Sequence, residues 1–256
     1  MKFKKYTPTN ISTFSKSQLS ASLDLHAKNS SSQINYPESD EMSRYLQEMG
    51  KKYEAKFGEI LQAKNLDVCH LNGQISDKSY ENTLLALNNA HDFVSQVFLN
   101  SEKLYGVADY LMKVPSKSDL GNFSYEPVEI KLATFEKPSY ILQSIAYCEL
   151  LKNILGKIPE SFHLHLGGGK FKTFKTKNYY DWYKNIEDKY EKFLSKFSID
   201  DTLDYLPGDH GKWNKFVQQK LKEKGDIIQV HAMRMDQRKK FNEAGIKTIF
   251  NLKNID

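Results

Sequence analysis

The sequence predicts an α/β fold, a mixed central sheet flanked by helices, with a small helical appendage at its C-terminal end. Three observations carry that expectation. Between residues 40 and 197, short apolar runs of strand length alternate with longer stretches whose apolar residues recur at helical spacing. Their order is helix, strand, helix, two or three strands, helix, two strands, helix, which suits a sheet covered on both faces. From Gly211 onward the chain carries eleven Lys+Arg against five Asp+Glu, a net of +6, whereas Ile199–His210 holds four Asp and no Lys or Arg. The expected divisions are a polar leader at 1–38, a core at 39–198 and a basic helical appendage at 199–256.

Each element has its own signal. Residues 8–40 are rich in Ser, Thr, Asn and Gln and weakly periodic, so they read as irregular or short-helical. In "ESDEMSRYLQEMGKKYEAKFGEILQAKN", Met42, Tyr45, Leu46, Met49, Tyr53, Phe57 and Ile60 recur as on one helix face, with Ser39 or Asp40 available as a cap. "LDVCHL" reads as a short strand ended by the turn pair Asn72-Gly73. "SYENTLLALNNAHDFVSQ" reads as an amphipathic helix, and "VFLN", "KLYGVADYLMKV" and "YEPVEIKLA" as strands. "KPSYILQSIAYCELLKNILGK" is a helix entered after Pro138 and stopped near Gly156 and Pro159. "SFHLHLG" and "KFKTFKT" alternate with period two around Gly167–Gly169, as a hairpin does, and "NYYDWYKNIEDKYEKFLSKF" closes the core as a helix. "WNKFVQQKLKEKG" and "RMDQRKKFNEAGIKTIFNLKN" supply the helices of the appendage.

A chain of 256 residues and 29.7 kDa is long enough to bury a core without staples. Cys69 and Cys148 both lie inside apolar runs and are expected as free buried thiols of a reducing compartment. No apolar run approaches the length of a membrane span, and the basic N-terminus lacks the apolar middle of a secretory signal. The expectation is a soluble, intracellular protein without a membrane partner. A formal charge of +5 permits a polyanionic partner, though a basic helix face is more often simply solvated.

Two strand-like runs carry charges where aliphatic residues belong. Asp109 interrupts "GVADYLMKV", and Glu129 and Lys131 interrupt "PVEIK". Buried carboxylates are costly unless they are paired or hold a metal. Glu129 and Lys131 are two apart and leave the same strand face. If the Asp109 strand lies beside theirs, three charged groups converge. Two hard oxygens there suit Mg²⁺ or Mn²⁺, and a lysine beside them can orient or help deprotonate a water and neutralise charge on phosphorus. The competing reading is a same-face ion pair on a half-exposed strand, which an E-x-K triplet alone does not exclude.

Four residues apart on the next helix stand Gln143 and Tyr147. Taken in order, "GVAD", "VEIK" and "QSIAY" resemble the RecB-like branch of the PD-(D/E)XK nuclease superfamily. The resemblance extends to "MGKKYEAKF", where Glu54 matches a helical metal ligand of that family, so it covers roughly residues 40–150. It implies a restriction-endonuclease-like core and a Mg²⁺- or Mn²⁺-dependent nuclease acting on DNA, exo- or endonucleolytic, with a role in DNA repair. It further implies that Asp109, Glu129, the Ile130 carbonyl and Glu54 hold the metal. Lys131 would be the catalytic lysine, and Gln143 and Tyr147 would position the site or the DNA backbone.

The C-terminal part both matches and departs. "DHGKWNKF" keeps His210 and Trp213 but has no cysteine, and the leader has none either, so no iron–sulfur cluster is expected. "EAGIKTIFNL" resembles a helix-hairpin-helix segment whose amides meet phosphates. The chain stops at Asp256, where relatives often continue, so a natural short form and a trimmed one are both open. His163 and His165 are read as packed side chains, "GGGK" lacks the spacing of a P-loop, and Lys170, Lys172, Lys175 and Lys177 suit either phosphate contact or a solvated edge. Two other readings stay beside the nuclease: a catalytically inactive DNA- or partner-binding module on that scaffold, and an unrelated enzyme sharing the motifs by chance.

Overall fold

The computed structural model describes residues 5–252. It is an α/β protein with a six-stranded, mixed, open sheet in the sequential order β1 to β6. The strands are β1 Val68–His70, β2 Phe93–Asn100, β3 Tyr105–Val114, β4 Ser124–Lys131, β5 Ser161–Leu166 and β6 Lys170–Lys175. β1–β2 and β4–β5 are parallel pairs, while β2–β3, β3–β4 and β5–β6 are antiparallel. Each parallel pair needs a crossover, supplied by α4 (Asp77–Asn88) and α5 (Pro138–Leu155).

Helices cover both faces. α3 (Glu41–Ala63) begins at Asp40, whose carboxylate caps the Ser43 N–H at 2.8 Å, and it buries Phe57 and Leu61 against Phe93, Tyr110, Val128 and Ile130. The other face carries the main core. There α5 packs its nearly continuous apolar surface, including Ile145 and Leu151, with Tyr183 and Tyr190 of α6 (Tyr180–Lys196) and Ile11 of α1 (Pro8–Lys16). α5 starts with Pro138 in its first turn and stops at Gly156, which is left-handed at φ +70°. Asp119, expected to be an ordinary turn residue, donates its N–H to the terminal Leu155 carbonyl and lays its carboxylate over Gly156.

The stretch expected to be one helix through Gln96 divides instead. The helix ends at Asn88, Ala90 takes a left-handed φ of +58°, and β2 begins at Phe93. Phe93, Val94 and Val97 supply the β-branched and aromatic character that favours a strand. In sequence the chain divides differently from the three consecutive segments expected. Among the described residues, those up to Ser15 join Asp40–Lys196 in one compact unit, and Lys16–Ser39 joins those from Phe197 onward in a second. In the second unit α2 (Gln18–Lys28) buries Leu23 with Trp213, Val217 and Leu221, the last two from α7 (Asn214–Glu223). That unit also holds α8 (Met235–Glu243) and the short α9 (Ile249–Leu252), and within it Arg238 grips Asp226 through two nitrogens, at 2.9 and 2.6 Å.

Candidate active site

The sheet opens where its charges lie. The β3–β4 ladder runs from Val114↔Ser124 to Tyr110↔Val128 and ends there. Asp109 and Glu129 are the next two positions, one on each strand. In place of the missing rung, the Asp109 carboxylate accepts the Ile130 N–H at 2.8 Å. Tyr147 of α5 donates its hydroxyl to the Val107 carbonyl at 2.7 Å, two residues along β3. Gly106 makes that approach possible, since a Cβ there would stand 3.1 Å from the Tyr147 ring and 3.0 Å from Pro8.

Glu129 is only 3% exposed. One of its oxygens takes the Lys131 ammonium at 2.6 Å, and the other, Oε1, is buried with no hydrogen-bond partner. The same-face ion pair is therefore present, but on a buried strand rather than a half-exposed one. Lys131 also lies 5.5 Å from the centre of the Tyr140 ring, a cation–π contact. Burial works against its charge, yet the Glu129 and Asp109 carboxylates outweigh that, and its pKa is raised above the ordinary lysine value. The ammonium is held protonated.

The carboxyl groups crowd one another. Burial first, and the Glu129 charge second, push Asp109 well above the usual carboxylate range, with Lys131 opposing. Burial raises Glu54 as well; a hydrogen bond from Gln96 opposes this and the charge of Glu129 adds to it. The Tyr147 hydroxyl is pushed far up by burial and by the same two carboxylates, which leaves it a donor and not a base. Three carboxyl groups thus interact around one ammonium.

Two of the expected residues make further contacts. Gln143, half-buried on α5, has its amide 3.4 Å from the Thr9 hydroxyl, at the limit of hydrogen bonding. Glu54 is reached through Gln96, whose amide donates to its Oε1. Among the described residues, no three His, Cys, Asp or Glu side chains are already arranged as a metal cage. His163 and His165 are packed as expected: His163 bonds Glu126 at 2.8 Å and Thr173 at 3.0 Å, and His165 stacks on Tyr53.

Two contributors were not foreseen. Tyr53, one residue before Glu54, donates its hydroxyl to the Leu166 carbonyl and accepts the Gly169 N–H at 3.3 Å, so α3 is tied to the β5–β6 turn. Gln96 was expected at a helix end. Its signal was a lone amide inside the apolar run "FVSQVFL", legible only once that run is read as a strand.

The donor set fits a hard divalent cation: two buried or half-buried carboxylates, a third nearby, and an oxygen on Glu129 that the protein leaves without a partner. No protein-family model matches the chain, and no curated protein matches it.

Proposed function

We propose that this protein is a metal-dependent nuclease with a restriction-endonuclease-like core, related to the RecB-like branch of the PD-(D/E)XK superfamily and hydrolysing DNA phosphodiester bonds. One observation carries the reading: the partnerless buried Oε1 of Glu129 at the fork where Asp109 and Lys131 also stand. A buried carboxylate oxygen left bare is costly, and a cation is the partner that suits it.

In this reading Asp109, Glu129 and the Ile130 carbonyl, with Glu54, hold Mg²⁺ or Mn²⁺. The ion would supply charge stabilisation at phosphorus and acidify a water. The rest falls to the chain. Lys131, kept protonated by its carboxylate neighbours, acts as a fixed positive charge and donor toward a phosphate oxygen or a water, and not as the base. Asp109 fastens β3 to the amide that follows Glu129, so both carboxylates sit on one rigid frame. Tyr147 holds the backbone of β3 beyond the fork. The basic residues from Gly211 onward offer charge to a DNA backbone.

The test is cleavage of labelled single- and double-stranded DNA in Mg²⁺ and in Mn²⁺. Asp109→Ala and Lys131→Met should each lose at least about 10²- to 10³-fold in rate while circular dichroism stays native. A folded wild-type chain that cuts no DNA form in either metal overturns the proposal. Salt-dependent DNA binding without turnover would point instead to an inactive binding module.

A further inference from the structure

We propose that Gln96 is a positioning residue for Glu54: its amide ties the Glu54 carboxylate to the sheet beside Asp109 and thereby sets the affinity of the site for a divalent cation. This rests on the nuclease reading above.

Gln96 sits in β2 with φ +53°, a left-handed conformation that a non-glycine residue avoids in a strand. The β2–β3 ladder steps from Ser95↔Tyr110 to Val97↔Ala108, passing over Gln96 and Asp109, which lie opposite one another. Both strands break their alternation there: Val94 and Val97 share the α5-side core, as do Ala108 and Leu111. The distortion therefore falls on Gln96 and on Asp109 itself. Strain of this kind persists only where the surroundings hold it.

The surroundings do hold it. The Gln96 amide nitrogen donates to Glu54 Oε1, and its own oxygen lies against Gly73, where a Cβ would stand 2.7 Å away. The Asn72-Gly73 turn, left-handed at Gly73, is what leaves room for the amide. Glu54 is half-buried on α3, and the hydrogen bond to its Oε1 comes across from Gln96 on β2. An uncharged donor engages one carboxylate oxygen without cancelling its charge. Partners of this type behind a metal ligand change metal affinity by about 10- to 100-fold when removed.

The experiment is calorimetric titration of the full chain with Mn²⁺ alone, beside thermal melting without metal. Asn accepts the left-handed backbone but falls one methylene short of Glu54, and Gly relieves the strain and has no amide. Gln96→Asn and Gln96→Gly should weaken Mn²⁺ binding about 10- to 100-fold with no fall in melting temperature. Gln96→Asn added to Glu54→Gln should cost no more than Glu54→Gln alone, because the two act as one unit. Wild-type Mn²⁺ affinity in both Gln96 variants, a lowered melting temperature with unchanged affinity, or additive losses in the double variant would each overturn the assignment. In those cases the nuclease reading survives so long as Asp109→Ala still abolishes binding. A wild-type chain that takes up no Mn²⁺ overturns both.

Discussion

At Asp109, burial and the Glu129 charge both favour the protonated acid in the metal-free fold. The unfolded chain releases that proton near pH 4. Because the native value is the higher one, the stability this group contributes is full below about pH 4 and is lost as pH rises through the raised native value. In the metal-free protein the contribution of Asp109 should therefore grow on acidification from neutral pH. Asp109→Asn, which keeps an oxygen for the Ile130 N–H, should raise the neutral-pH melting temperature in EDTA and flatten the acid side of the profile. A variant with the wild-type slope would refute this account. The same residue shows what a sequence can carry. Asp109, Glu129 and Lys131 were legible because charge inside an apolar strand is conspicuous, and strand order alone brings them together. Gln96 was not legible, because its role depends on a backbone inversion that no side-chain pattern announces. Gln143 was expected to position the site or the DNA backbone through the family resemblance, and its amide stands beside Thr9.

At the scale of elements, the β5–β6 turn braces the strand that bears Lys131. Gly167 donates its N–H to the Ala133 carbonyl, and a Cβ on it would collide with the Leu132 carbonyl oxygen, which is backbone and cannot swing away. Gly168, at φ +77°, has open space around it. Two costs of different origin follow. Gly167→Ala should destabilise by about 1–3 kcal/mol through overpacking and also slow DNA cleavage, since Leu132 follows Lys131 directly. Gly168→Ala should cost about 1–2 kcal/mol through backbone strain alone and leave cleavage unchanged. Urea denaturation paired with a cleavage assay separates them. The three glycines marked the hairpin plainly in the sequence. The end of α4 was hidden, because "NNAHDF" continues with apolar residues that a helical period also accepts, and Ala90 gave no hint that it turns left-handed.

For the whole molecule, the chain is interleaved: a stretch near its start belongs with its end. Polar composition concealed this, since Leu23 and Leu25 of α2 are buried among residues that otherwise read as a leader. Besides its apolar cluster, the second unit holds a buried charge pair. Arg238 and Asp226 are each 8% exposed and bonded through two nitrogens. Arg238→Ala should cost that unit about 3–5 kcal/mol by stranding the carboxylate. Hydrogen exchange should show α7 and α8 losing protection while β2–β4 keep theirs. Uniform loss across all of them would mean that the units unfold as one.

The fork between β3 and β4 carries one more implication. A sheet is ordinarily joined by backbone to backbone, a seam indifferent to pH and ions. Here one stitch of that seam is the Asp109 side chain holding the Ile130 amide. Whatever recruits that carboxylate also bears on how the two strands are sewn together, so the occupancy of the site and the closure of the sheet are linked.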